Sequence, residues 1–134
     1  MNEPVTKKEE EMSRPDWNTY FLNIAEAVSL RSTCPRASVG AVIVKNNRII
    51  STGYNGSPAG EPHCTEVGCM VENNHCQRAI HAETNAVAQA ARFGLAVDGA
   101  ILYFWDSLGR GYDSCIKCTQ IMRAAGIARV VGRK

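Results

Sequence analysis

A histidine, a glutamate and two cysteines carry the strongest chemical signal in the chain. His81-Ala82-Glu83 opens one stretch of helical pattern and Cys115-Ile116-Lys117-Cys118 opens another. Cysteines three apart in a first helical turn share one face, and the positive end of the helix dipole favours their thiolates. With His81 they make a soft site of three ligands. Three protein ligands on a tetrahedral zinc leave the fourth position to water, as in a catalytic ion rather than a closed structural one. Zinc lowers the pKa of that water to about 7. Glu83 is badly placed to ligate the same ion, but it can reach the water and shuttle its proton. Hydroxide beside such a carboxylate suits attack on an electron-poor ring carbon that bears an amine. A Cys-x-x-Cys alone would fit a structural zinc knuckle or a redox pair equally well. The His-Ala-Glu helix start weighs against both.

Four further cysteines, Cys34, Cys64, Cys69 and Cys76, bring the total to six in 134 residues. The start, Met1 to Met12, has no apolar segment of the secretory kind, so a cytoplasmic, reducing setting is expected and metal ligation is preferred to disulfides. Four sulfurs with no free position would form a closed structural zinc, stapling the long segment from Tyr54 to about Gln77 to the end of the first helix. His63 and His75 each adjoin a cysteine and compete as ligands. Buried, unliganded thiols are the plain alternative.

Composition narrows the class. A chain of 134 residues, 45% hydrophobic and 21% charged, has the makings of one domain with a real core. Its 11 Gly and 5 Pro are too few for a collagen-like or largely disordered chain. No apolar run approaches the roughly 18 to 20 residues of a membrane span. A net charge of +2, with only 7% aromatic residues, gives no basic face or stacking platform, so duplex nucleic acid is not expected as a partner. Residues 1–12 read as a flexible charged tail and 13–134 as the working domain.

The elements that must position the site follow from periodicity. Ser13-Arg14-Pro15-Asp16 starts a helix whose stripe is Trp17, Tyr20, Phe21, Ile24 and Val28, reaching about Arg31. Val39–Val44 and Arg48–Gly53, separated by Asn46-Asn47, predict a β-hairpin. A helix over Ala79–Phe93 stops at Gly94, a buried strand runs over Ala100–Trp105, a helix over Cys115–Ala125 stops at Gly126, and a last strand covers Ile127–Val131. Helices alternating with strands imply a largely parallel sheet covered on both faces. Trp17, Trp105 and the methionines read as core.

These residues resemble the deoxycytidylate (dCMP) deaminase family of the cytidine deaminase-like superfamily. The resemblance rests on Cys34-Pro35-Arg36, Val39–Val44, Ile49 to Pro58 with its Gly53-Tyr54-Asn55-Gly56, His75-Cys76, and His81-Ala82-Glu83 followed by Asn85-Ala86. His-x-Glu with Cys-x-x-Cys is the pattern of zinc nucleobase deaminases. It implies an α/β fold, a three-layer α/β/α sandwich on a mixed sheet with an N-terminal β-hairpin. It further implies His81, Cys115 and Cys118 as catalytic zinc ligands, Glu83 as general acid and base, Asn55 holding the substrate, and the Ala82 backbone facing the pyrimidine carbonyl. Relatives also suggest a second zinc near Cys34, Cys64, Cys69 and Cys76, and a homo-oligomer. The implied reaction is hydrolysis of a small cytosine nucleotide, dCMP foremost, to the uracil nucleotide and ammonia. Arg36 and Arg78 are candidates for a 5′-phosphate. Two departures from the family bear on substrate choice: Ser114 stands where proline is usual, and the 106–114 loop, with Arg110 and Tyr112, is longer. They keep open a deaminase of another aminopyrimidine, a nucleoside or a purine. A non-catalytic, zinc-stabilised binding module is the rival from another class, and Glu83 argues against it.

Overall fold

The computed structural model describes residues 14–73, 75–109 and 116–132. The expected tail at 1–12, Arg110, Tyr112, Ser114 and Cys115 lie outside the described residues. Helix α1 (Trp17–Ser29) begins at Asp16, whose carboxylate accepts from the Thr19 N–H at 2.7 Å; that backbone bond holds the carboxyl below its usual range. Pro15 therefore precedes the cap instead of entering the first turn. The buried stripe is Phe21, Leu22, Ala25 and Ser29. Trp17 and Tyr20 fall outside it, 53% and 43% exposed, so the expectation that Trp17 is core is corrected. Ring packing explains their order: Trp17 stacks on Phe21 with centroids 5.6 Å apart.

Strands β1 (Val39–Lys45) and β2 (Arg48–Tyr54) form the expected hairpin. Asn46 and Asn47 have φ of 52° and 59°, the left-handed pair that a two-residue turn requires to match strand twist. The predicted loop is not structureless: it holds a short helix α2 (Cys64–Val67) and a ribbon of β3 (Val71–Glu72) and β4 (His75–Cys76). Helix α3 (Ala82–Arg92), strand β5 (Ile101–Asp106), helix α4 (Ile116–Ala125) and strand β6 (Arg129–Gly132) follow.

The main sheet has the order β2-β1-β5-β6, with β1 antiparallel to both neighbours and β5 parallel to β6. The expectation of a largely parallel sheet is thus corrected to a mixed one. The crossover rule still holds: β2, β5 and β6 all run the same way, and the helices join them. The hairpin strand β1 lies between β2 and β5, and its reversal makes two of the pairs antiparallel.

Alternation along the strands divides the core into two layers. Val42, Val44 and Tyr103 pack on Phe21, Leu22 and Ala25 of α1. Ala41, Ile43, Leu102 and Phe104 pack on Ala82, Ala86 and Ala90 of α3 and on Cys118 and Met122 of α4. The helices come close because two strand positions have no side chain. A Cβ at Gly40 would run into the Ala25 carbonyl, and one at Gly53 into the Ala86 N–H and Ala82 carbonyl. We expect Gly53→Ala to push α3 off β2, costing at least about 2 kcal/mol. Thermal unfolding should show the loss, together with weaker metal retention, since α3 carries His81 and Glu83.

Candidate metal centre and active site

The carboxyl ends of β2 and β5 and the amino ends of α3 and α4 meet at one edge of the sheet, where open α/β folds place their ligands. After β2 the chain loops out and returns. Gly56 and Ile80 then exchange backbone bonds of 3.1 and 2.8 Å, laying residues 79–81 along 55–57. His81 lands at the N-cap of α3 with extended backbone. The Asn85 side chain donates to the Tyr54 carbonyl at 2.8 Å and ties that helix start to the end of β2.

This closure gathers the expected groups. His81 Nδ1 lies 3.2 Å from Cys118 Sγ, and donor atoms of His81, Glu83 and Cys118 all lie within 4.8 Å of one another. Nitrogen and sulfur sharing a tetrahedral zinc would stand about 3.5 Å apart from their bond lengths, so the pair fits a common ion. One residue that spacing did not reveal joins them: Thr84 Oγ1 sits 3.4 Å from Cys118 Sγ. Against a thiolate the hydroxyl donates, and such outer contacts tune ligand basicity. We expect Thr84→Val to weaken zinc affinity about tenfold, read by competition with a chromogenic chelator.

Glu83 is 4% exposed, and that burial raises its carboxyl above the ordinary value, opposed by its own backbone N–H and the His81 charge. Asp106, 8% exposed at the end of β5, adds a smaller upward push; its Oδ1 accepts from the Leu108 N–H at 2.8 Å. Asn55 is held by the protein at both ends of its amide. Oδ1 accepts from the Val39 N–H at 2.9 Å and Nδ2 donates to the Ala37 carbonyl at 2.8 Å. That fixes its orientation and leaves the second Nδ2 hydrogen for a ligand. Ala82 is fully buried in the first turn, where backbone N–H groups have no acceptor within the helix.

A second cluster forms beneath. The sulfurs of Cys64, Cys69 and Cys76 lie within 4.8 Å of one another, with Cys64 and Cys76 3.5 Å apart. That is far beyond a disulfide bond of about 2.05 Å and near the roughly 3.8 Å of two thiolates on one zinc. Burial pushes the Cys64 thiol up, whereas backbone N–H groups of Ala79, Met70 and Arg78 outweigh burial at Cys76 and hold it at about 7. Cys34 is not within this tight set, although its neighbour Thr33 accepts from the Thr65 N–H at 3.1 Å, tying the two segments. His63 Nδ1 is buried without a hydrogen-bond partner among the described residues. Between the clusters opens a cavity of about 340 Å³, with Cys76, His81, Glu72, Gln77 and Lys117 in its lining. Arg36 and Arg78 do not line it.

The sequence model described as "Cytidine and deoxycytidylate deaminase zinc-binding region" matches residues 15–133. The chain belongs to this family. Its deaminase relatives include the deoxycytidylate deaminase of Mycobacterium phage D29, 41% identical over 131 residues covering 90% of this chain and 96% of the relative. ComE operon protein 2 of Bacillus subtilis is 46% identical over 119 residues, covering 89% of this chain, which spans 60% of that protein's length. Among solved structures, the dCMP deaminase of cyanophage S-TIM5 in complex with dCMP and dUMP superposes with a TM-score of 0.71 at 30% identity, over 87% of this chain and 80% of the other. The three-layer deaminase fold is therefore established, and zinc is the metal that the matched region binds. No helix among the described residues is long and apolar enough to cross a membrane.

Proposed function

We propose that this chain is a zinc-dependent aminohydrolase that converts dCMP and water to dUMP and ammonia. The observation that carries the reading is the convergence of His81 Nδ1, Cys118 Sγ and the buried Glu83 carboxylate at the start of α3. His81, Cys118 and Cys115 would hold the catalytic zinc. When bound, zinc brings the pKa of a coordinated water to about 7 and so supplies hydroxide at neutral pH.

The chain's own residues do the rest. Glu83 accepts one proton from the attacking water and delivers it to the ring nitrogen, then takes the second proton from the newly added hydroxyl and hands it to the departing amine, so that the hydroxyl oxygen becomes the ring carbonyl as ammonia leaves. Its raised pKa suits a group that must both take and give a proton near neutrality. The Ala82 N–H would donate to the ring carbonyl, Asn55 would offer its remaining Nδ2 hydrogen to the sugar, and Arg36 is the candidate for the 5′-phosphate. Cys34, Cys64, Cys69 and Cys76 would hold a second, structural zinc that fastens the α2 segment and ribbon. We place this activity in residues 13–134 as one domain, in the cytoplasm, within a homo-oligomer.

Ammonia release from dCMP, CMP, deoxycytidine, cytosine and a purine set tests the assignment. Turnover should be fastest with dCMP, vanish on chelation and return with zinc. Activity confined to a nucleoside or a purine would replace dCMP in this reading. A binding module without catalysis would leave the buried carboxylate of Glu83 without a use.

A further inference from the structure

We propose that the Ser107 hydroxyl is a positioning residue for the substrate: it locks the two peptide units that orient the Asn55 amide, and so sets how tightly the nucleotide is held. The inference rests on the deaminase reading, in which Asn55 holds the substrate, and deepens it.

Strands β2 and β5 part from β1 at the same level. In an antiparallel ladder, alternate facing pairs exchange two backbone bonds. The register continued past β5 pairs Ser38 with Ser107, and past β2 it pairs Val39 with Asn55. Each of these last pairs keeps one backbone bond. The Ser107 N–H donates to the Ser38 carbonyl at 2.9 Å, and the Asn55 N–H to the Val39 carbonyl at 3.3 Å. A side-chain oxygen takes over the other bond in both cases. The Ser38 N–H donates to Ser107 Oγ at 2.9 Å, and the Val39 N–H to Asn55 Oδ1 at 2.9 Å. Such a substitution lets the chain leave the sheet without orphaning a donor. After Ser107 the chain turns at once: Asp106 Oδ1 accepts from the Leu108 N–H at 2.8 Å, and the Asp106 carbonyl from the Gly109 N–H at 3.1 Å.

Ser107 and Asn55 therefore grip the same two peptide units from opposite sides. The unit joining Ala37 to Ser38 gives its carbonyl to Asn55 Nδ2 at 2.8 Å and its N–H to Ser107 Oγ. The unit joining Ser38 to Val39 gives its carbonyl to the Ser107 N–H and its N–H to Asn55 Oδ1. Each unit is planar and rigid, so a tilt at one end is a tilt at the other. Residues 32–38 belong to no helix or strand, so side-chain bonds of this kind fix their place. Without the Ser107 hydroxyl, the Ala37 carbonyl and Val39 N–H that aim the Asn55 amide lose their second anchor. The remaining Nδ2 hydrogen then meets the substrate in a poorer direction. Zinc ligands and Glu83 lie on other elements and are untouched.

The test uses the zinc-loaded full chain, with steady-state turnover of dCMP and the dissociation constant of the product dUMP by calorimetry. Ser107→Ala should raise KM for dCMP and Kd for dUMP by the same factor, about 3- to 10-fold, the worth of one hydrogen bond. Its kcat should stay near the wild-type value, the signature of lost uniform binding. Ser107→Thr keeps the hydroxyl and should restore both constants. Zinc content and thermal melts verify that both variants are folded. Unchanged KM and Kd in Ser107→Ala overturn the proposal, as does a fall in kcat at constant KM, or a Ser107→Thr no better than Ser107→Ala. If that happens while the wild type deaminates dCMP, the deaminase reading stands and only the role of Ser107 is lost. A wild type that neither deaminates dCMP nor binds dUMP overturns both.

Discussion

Glu83→Gln keeps its zinc and loses its turnover. Glutamine fills the same buried slot and leaves His81, Cys115 and Cys118 untouched, so metal content should match the wild type. An amide can neither take a proton from water nor hand one to a ring nitrogen. General acid–base catalysis contributes about 10²- to 10⁴-fold, and Glu83 acts in more than one proton transfer, so kcat should fall to the upper end of that range or beyond. Zinc analysis and single-turnover kinetics on the same preparation check both halves. Zinc retained with full turnover would remove Glu83 from the mechanism. The same variant carries a stability signature in the metal-free protein. Burial raises the Glu83 carboxyl above 4.5, so the native state holds a proton that the unfolded chain releases. Native binding of more protons means that stability falls as pH climbs from 4.5 through the raised native value. Metal-free Glu83→Gln should lack that fall, which thermal melts across the range will show.

Cys76→Ser and Cys64→Ser should each lower the zinc content from two ions per chain to one. The three clustered sulfurs sit where a segment of very short elements folds back on itself. Helix α2 has four residues, the ribbon has two-residue strands, and Val67, Met70 and Val71 are half-exposed. Elements this short are not stable alone. A metal held by these sulfurs would supply folding free energy to this segment, and its loss should lower the melting temperature by about 10 °C or more. One zinc ion per chain in the wild type, with an unshifted melt in Cys76→Ser, would reduce the cluster to buried thiols.

The chemistry was more legible than the topology. His81, Glu83 and Cys118 were legible because a zinc site with a proton-shuttling carboxylate calls for those residue types at fixed helical offsets, and the fold brings their donor atoms within 4.8 Å of one another. The hairpin was legible because Asn46-Asn47 tolerates the left-handed backbone that joins twisted strands. The placement of β1 between β2 and β5 was hidden, since alternation of elements fixes handedness and not neighbour order. Trp17 misled because periodicity locates a stripe but not where the stripe leaves the sheet. Thr84 gave no signal of its own: it matters through the Cys118 sulfur that another segment brings near. Cys34 belongs to the same problem, because its distance from Cys64 depends on how two loops pack and not on spacing.

The most direct test of the account is turnover of dCMP by the zinc-loaded protein in ¹⁸O-water, with ammonia measured alongside. Hydrolytic deamination replaces the ring amine with oxygen from water. The account predicts dUMP carrying one ¹⁸O atom at the ring carbon that lost nitrogen, with one ammonia per dUMP. No dUMP from fully zinc-loaded protein, or dUMP formed without the label, would contradict it.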